Sequence, residues 1–196
     1  SWERPLSLGT ANAVYIEDCL FDYTQVLDGA LDAFHGARYV FRYNELNNTL
    51  CGHHGCDSGR HRSTHSFEIY KNIVTFQIDG FTAFGSRGGT GVIFDNIVID
   101  HYGGLTCFCY VMLYRSCLSY EPWGICDGTN PLDGNLDSSG YPCLDQQGRT
   151  TDENNDGIQD LSPMYEWNND FRGNDGDIVI HNGHGCDAIY DHLQEG

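Results

Sequence analysis

Apolar residues alternate along this chain in short runs that return at a nearly fixed distance. Segments 14–20, 40–46, 68–74, 93–98 and 113–118 share one phase: alternating apolar residues, two polar residues, then Asn or Cys, then an apolar residue. The marker residues are Cys19, Asn44, Asn72, Asn96 and Cys117, at steps of 25, 28, 24 and 21. A sixth copy at 165–171 carries Asn168-Asn169 after a longer interval. Period-2 alternation predicts strands, and a repeat of this length predicts a β-solenoid whose coils stack at roughly 4.8 Å. The expected fold class is all-β, a right-handed parallel β-helix (solenoid) with a long inserted loop. The recurring Asn is expected at a left-handed bend between strands, its amide bonded to the Asn above and below. Cys19 and Cys117 are expected to end the ladder as small buried groups. A β-sandwich has strands of similar length but no reason to repeat Asn at one phase.

The period breaks between 119 and 163, a stretch that holds four of the five prolines. A loop of that length is uncommon without internal ties or a role. The expected organisation is therefore coils over 1–118, an inserted loop over 119–163 and further coils over 164–196, in one domain.

Composition sharpens this picture. The 24 glycines suit many turns, and 28 Asp plus Glu against 10 Lys plus Arg leave a formal charge of −18. Such a field repels phosphate backbones, which argues against a nucleic-acid partner and favours divalent cations. No apolar run is long enough to predict a membrane span. Nine cysteines without paired CxxC knuckles argue against structural zinc and for an oxidising compartment. Cys51–Cys56 and Cys126–Cys143 are the expected disulfides, each closing a Gly-rich loop without regular structure of its own.

The phrases at 37–44, 67–72 and 140–146 resemble secreted bacterial right-handed parallel β-helix repeat proteins of the pectate-lyase-like superfamily, and the resemblance covers nearly the whole chain. It implies the solenoid fold, an extracellular or cell-surface location, and business with polysaccharide or surface glycan. It leaves activity open, because lyases, hydrolases, adhesins and tailspikes share the fold. It also implies coil sequence continuing past both ends, so the chain is expected to be a piece of a longer solenoid or to associate with itself through open ends.

Candidate chemistry follows from four groups. Asp152, Asn154, Asp156 and Asp160, with the Ile158 carbonyl, match the oxygen-ligand places of a calcium loop, with Gly157 at the turn. Pro163 stands where an EF-hand places its bidentate Glu, so other oxygens have to complete the shell. His35, Arg38 and Arg42 lie in one coil, His53, His54, Arg60, Arg62 and His65 in the next, and Arg87 follows. In a parallel stack they are expected to form a basic stripe suited to sugar carboxylates or sulfates. Trp123 and Tyr141 in the inserted loop are the expected exposed stacking platforms, most other aromatics being expected in the core. Asp32, Asp57, Asp95 and Asp100 are the carboxylates open to hydrolytic chemistry. The first functional reading is a non-catalytic β-helix module that binds polysaccharide or serves a structural or adhesive role, stabilised by calcium and disulfides. The second is a polysaccharide lyase or glycoside hydrolase acting on an acidic glycan. The third is a subunit stacking end to end through its solenoid ends.

Overall fold

The structure is a computed structural model, which describes residues 12–24, 29–33, 36–53, 63–105, 107–112, 119–120, 124–125, 147–148, 162–173, 178–181 and 193–195. Among these residues there are strands and no helix, and hence no helix long and apolar enough to cross a membrane. Three parallel sheets take strands in rotation. Sheet A contains β1 (Val14–Glu17), β4 (Arg38–Arg42), β7 (Ser66–Tyr70), β10 (Thr90–Phe94), β15 (Met164–Trp167) and β18 (Leu193–Glu195), in that order. Sheet B contains β2 (Leu20–Asp22), β5 (Glu45–Asn47), β8 (Ile73–Phe76), β11 (Ile97–Asp100) and β16 (Asp170–Arg172). Sheet C contains β3 (Leu31–Ala33), β6 (Cys51–His53), β9 (Thr82–Ser86), β12 (Cys107–Met112) and β17 (Ile178–His181). A small antiparallel pair, β13 (Ser119–Tyr120) and β14 (Gly124–Ile125), stands apart. Each sheet thus gains one strand per repeat, an all-β parallel arrangement compatible with the expected solenoid.

The alternation explains the packing. Phe41, Ile69 and Ile93 are register partners and all buried. In sheet B, Leu46, Val74 and Val98 form the equivalent buried row. Phe84 of sheet C pairs with Cys51 on one side and Cys109 on the other, all three wholly buried. These rows join in a single hydrophobic cluster drawn from all three sheets. Burying a Phe, Leu, Ile or Val contributes about 1.5–3 kcal/mol each, so the cluster is the main source of stability.

The Asn markers do stack. Asn44 donates through its main-chain N and its Nδ2 to Oδ1 of Asn72 at 3.0 and 3.1 Å. Asn72 donates in the same way to Asn96 at 3.0 and 3.0 Å, and Asn96 to Asn169 at 3.1 and 3.0 Å. The remaining Nδ2 hydrogens go to strand carbonyls, Ile16, Phe41, Ile69 and Ile93 in turn.

Three details differ from expectation. The left-handed bend belongs to the residue before each marker: Asp18, Tyr43, Lys71, Asp95 and Asn168 have φ of 53–56°. The marker itself aims its amide along the stack. Cys19 is exposed and joins the ladder only through its main-chain N–H, which donates to Asn44 Oδ1. Finally, β10 pairs directly with β15, and Asn96 with Asn169, so the sixth copy follows the fourth in sheet A. Segment 113–118, including Cys117, lies outside the described residues, as does most of the inserted stretch.

The Cys51–Cys56 bridge is corrected. Cys51 is a free thiol, wholly buried because β6 turns its side chain into the core. Burial pushes the Cys51 thiol well up from its ordinary value, and a hydrogen bond with Tyr39 pulls slightly the other way. Burial likewise raises the Tyr39 phenol, with further upward contributions from Cys51 and Cys109. Cys56, Cys126 and Cys143 lie outside the described residues.

A pH prediction follows from these two shifts. Both groups hold their protons in the native state at pH values where the unfolded chain has released them. The stability they contribute is therefore complete below the ordinary thiol pKa of about 8.5 and falls as pH rises above it. The slope from Cys51 is about 1.4 kcal/mol per pH unit, steepening above about pH 10 as Tyr39 joins. Urea titrations across this range should show the decline, and Cys51→Ala should flatten its first part. An unchanged slope in Cys51→Ala would refute the assignment. Peptide mapping after alkylation should find Cys19 modified in the native state, and Cys51 and Cys109 only after unfolding.

Candidate binding surface on sheet A

Sheet A carries the most ordered set of polar and aromatic side chains among the described residues. Two positions before each marker stands a row in strict register: Glu17, Arg42, Tyr70, Phe94 and Trp167. Because partners in a parallel sheet sit directly above one another, rings at one phase must stack. Tyr70 and Phe94 lie with centroids 4.7 Å apart and planes at 12°, and Phe94 and Trp167 at 4.5 Å and 4°. All three rings are half-buried. Their faces are spent on one another, so the row presents ring edges outward as a rail.

Arg42 continues the rail where the rings stop. Its Nε donates to Glu17 Oε2 at 2.6 Å and its Nη1 to Tyr70 Oη at 2.7 Å. The guanidinium also lies 5.4, 5.5 and 5.8 Å from the ring centroids of Tyr15, Tyr43 and Tyr70. The hydrogen bond to Tyr70, and then that to Glu17, hold its proton more firmly than usual. Such an arrangement fixes a flexible side chain through cation–π and charge-assisted contacts.

The bend residues make a second row alongside, Asp18, Tyr43, Lys71, Asp95 and Asn168. Tyr43 is 45% exposed and meets Tyr70 edge-on at 76°. The Lys71 ammonium lies 5.7 Å from the Tyr43 ring centroid. Asn168 Nδ2 donates to Asp95 Oδ1. A third row, two residues before the rail, runs Tyr15, Val40, Glu68, Val92 and Tyr165. Tyr15 and Tyr165 are each 39% exposed.

The sequence-derived basic stripe is corrected where the structure describes it. Arg38 and His65 are indeed neighbours across successive repeats, His65 N donating to Ala37 O at 2.9 Å. Both are buried, however, and Arg38 Nη1 donates to Gly36 O. They brace the entry into sheet A, since each stands at the start of a strand. Arg87 is half-buried in the turn after β9. His35, Arg60, Arg62, Trp123 and Tyr141 lie outside the described residues. So do Asp152, Asn154, Asp156, Ile158 and Asp160 of the calcium motif. Among the hydrolytic candidates, Asp57 lies outside as well, and Asp32 is exposed on β3. Asp95 takes the Asn168 hydrogen bond. Asp100 is spent on its own loop, its oxygens accepting from Tyr102 N, Gly103 N and Leu105 N at 3.0, 2.8 and 2.9 Å.

The rail was missed by reading the sequence for aromatics in the irregular loop. Its signal lies in the aligned repeats, since position −2 from the markers at 19, 44, 72, 96 and 169 reads Glu, Arg, Tyr, Phe, Trp. Comparison with family models, curated proteins and solved structures finds no match for this chain.

Proposed function

We propose that the three parallel sheets close into a right-handed parallel β-helix, and that this helix is an extracellular module that holds polysaccharide without cutting it. The observation that supports the reading is the rail on sheet A. Five side chains, Glu17 to Trp167, are fixed in line at the spacing of the strands. A long polymer meets one side chain per strand along such a rail, and side chains already held in place cost little further entropy on binding. Calcium at Asp152, Asn154, Asp156, Asp160 and the Ile158 carbonyl, and a Cys126–Cys143 disulfide, belong to the same proposal as ties for the inserted segment.

The test is a panel of polysaccharides incubated with the full chain, with and without a calcium chelator. Binding is followed by retardation in polysaccharide-containing gels, and cleavage by reducing ends and unsaturated products. Retardation without products is the expected result. Products accumulating in proportion to protein would overturn the non-catalytic reading in favour of a lyase or hydrolase.

A further inference from the structure

We infer that the glycan held on the sheet A face is a neutral polysaccharide, not a uronic or sulfated one. This rests on the polysaccharide reading above and adds the charge class of the ligand. The three rows, in which Val40 is buried, carry four carboxylates, Glu17, Asp18, Glu68 and Asp95, against two cations, Arg42 and Lys71. The face therefore has a net charge of 2 − 4 = −2, on a chain at −18. Arg42 is already committed to Glu17 and Tyr70. One Glu68 oxygen is buried without a hydrogen-bond partner among the described residues. A polyanion laid along this face meets repulsion along its length, with the field of the whole chain behind it.

A neutral glycan meets none of that repulsion and finds its own complement. Its C–H surfaces pack on the ring edges of Tyr70, Phe94 and Trp167. Its hydroxyls donate to Asp18 and Asp95 and accept from the polar tips of exposed aromatics. The Trp167 indole N–H and the Tyr165 hydroxyl make no hydrogen bond among the described residues. Amphipathic rings with an unused polar tip are suited to a ligand that is apolar on one side and hydroxylated on the other.

The experiment measures affinity of the full chain for an unsubstituted β-glucan and a galactomannan, and for polygalacturonate and alginate, at low and high salt. Neutral polymers are expected to bind with affinity nearly independent of salt, since no charge pair forms to be screened. Trp167→Ala and the surface change Tyr43→Ala should each weaken that binding up to about tenfold. Glu45→Gln, an exposed change on sheet B away from these rows, should leave it within about twofold. Tighter binding of the acidic polymers, lost with salt and with Lys71→Glu, would overturn the neutral assignment while leaving the polysaccharide reading standing. Neutral binding untouched by both ring variants would place the ligand elsewhere and overturn the inference. Binding to no polymer of either class would sink the polysaccharide reading and this inference with it.

Discussion

Asn72→Ala is expected to lower the folding free energy by about 3–5 kcal/mol, the loss of two or more buried hydrogen-bond partners at about 1–3 kcal/mol each. Asn72 sits in mid-ladder and is buried. Its Oδ1 accepts from the Asn44 main chain and side chain, and its Nδ2 donates to Phe41 O, Tyr70 O and Asn96 Oδ1. Alanine fills none of these roles and leaves the Asn44 N–H and the Phe41 carbonyl facing an apolar interior. Asn169 is only half-buried, so Asn169→Ala should cost about 1–2 kcal/mol, water replacing part of what is lost. The measurement is the urea midpoint at constant slope for both variants. Equal losses at the two positions would show that the ladder does not act through burial.

Gly89→Ala is expected to be of similar severity for a different reason. Gly89 has φ of +78°, a region where any Cβ is strained. A Cβ there would stand 2.3 Å from Thr64 O and 2.8 Å from His65 O, both backbone atoms that cannot swing away. Left-handed strain of about 1–2 kcal/mol and overpacking of about 1–3 kcal/mol together give a loss of about 2–5 kcal/mol. The same glycine receives a hydrogen bond from Gly148 N at 2.8 Å and another from the Gln147 amide. Gln147 also accepts from Ser86 Oγ at 2.6 Å, so the described part of the inserted stretch is tied to sheet C as well. Loss of the Gly89 turn should therefore loosen that stretch. Lys71→Gly supplies the opposite sign: Lys71 carries a side chain at φ 55°, and glycine there should gain up to about 1 kcal/mol. Thermal or urea unfolding of the two variants decides it, and a harmless Gly89→Ala would refute the account.

How far the sequence could be read depended on which property repeats. The marker Asn had to recur because each amide needs the next at the same height, and that periodicity is visible in one dimension at 44, 72 and 96. The bend was misplaced by one residue, since composition does not separate the residue that turns from the residue that bonds across the turn. Tyr43 and Lys71 take φ near 55° without looking like turn residues. The neighbour relation of Arg38 and His65 was legible, but their burial was not. Burial depends on what packs over a strand entry, which is set by other parts of the chain. Cys51 was mistaken for a loop residue because β6 is three residues long, too short to display alternation. The rail is legible only once the repeats are aligned, because alternation by itself assigns most aromatics to the core.

The Asn ladder also has a polarity. Asn44, Asn72 and Asn96 each give N–H groups to the amide oxygen of the C-terminal neighbour and take them on their own amide oxygen from the N-terminal one, beside one Nδ2 bond back to a main-chain carbonyl of the preceding repeat. The demands on the two sides are therefore unequal. A repeat joined on the N-terminal side of a rung has only to offer main-chain N–H and carbonyl groups, which almost any residue does and which Cys19 and Ile16 do here. A repeat joined on the C-terminal side has to bring a side-chain acceptor of the right length. Duplicated or transplanted repeats should accordingly be accepted asymmetrically: a cassette lacking Asn is tolerated as the first of a series and rejected in its interior. Lengthening the parallel stack by design then reduces to one rule of grammar, in which only the opening unit is free to choose its marker.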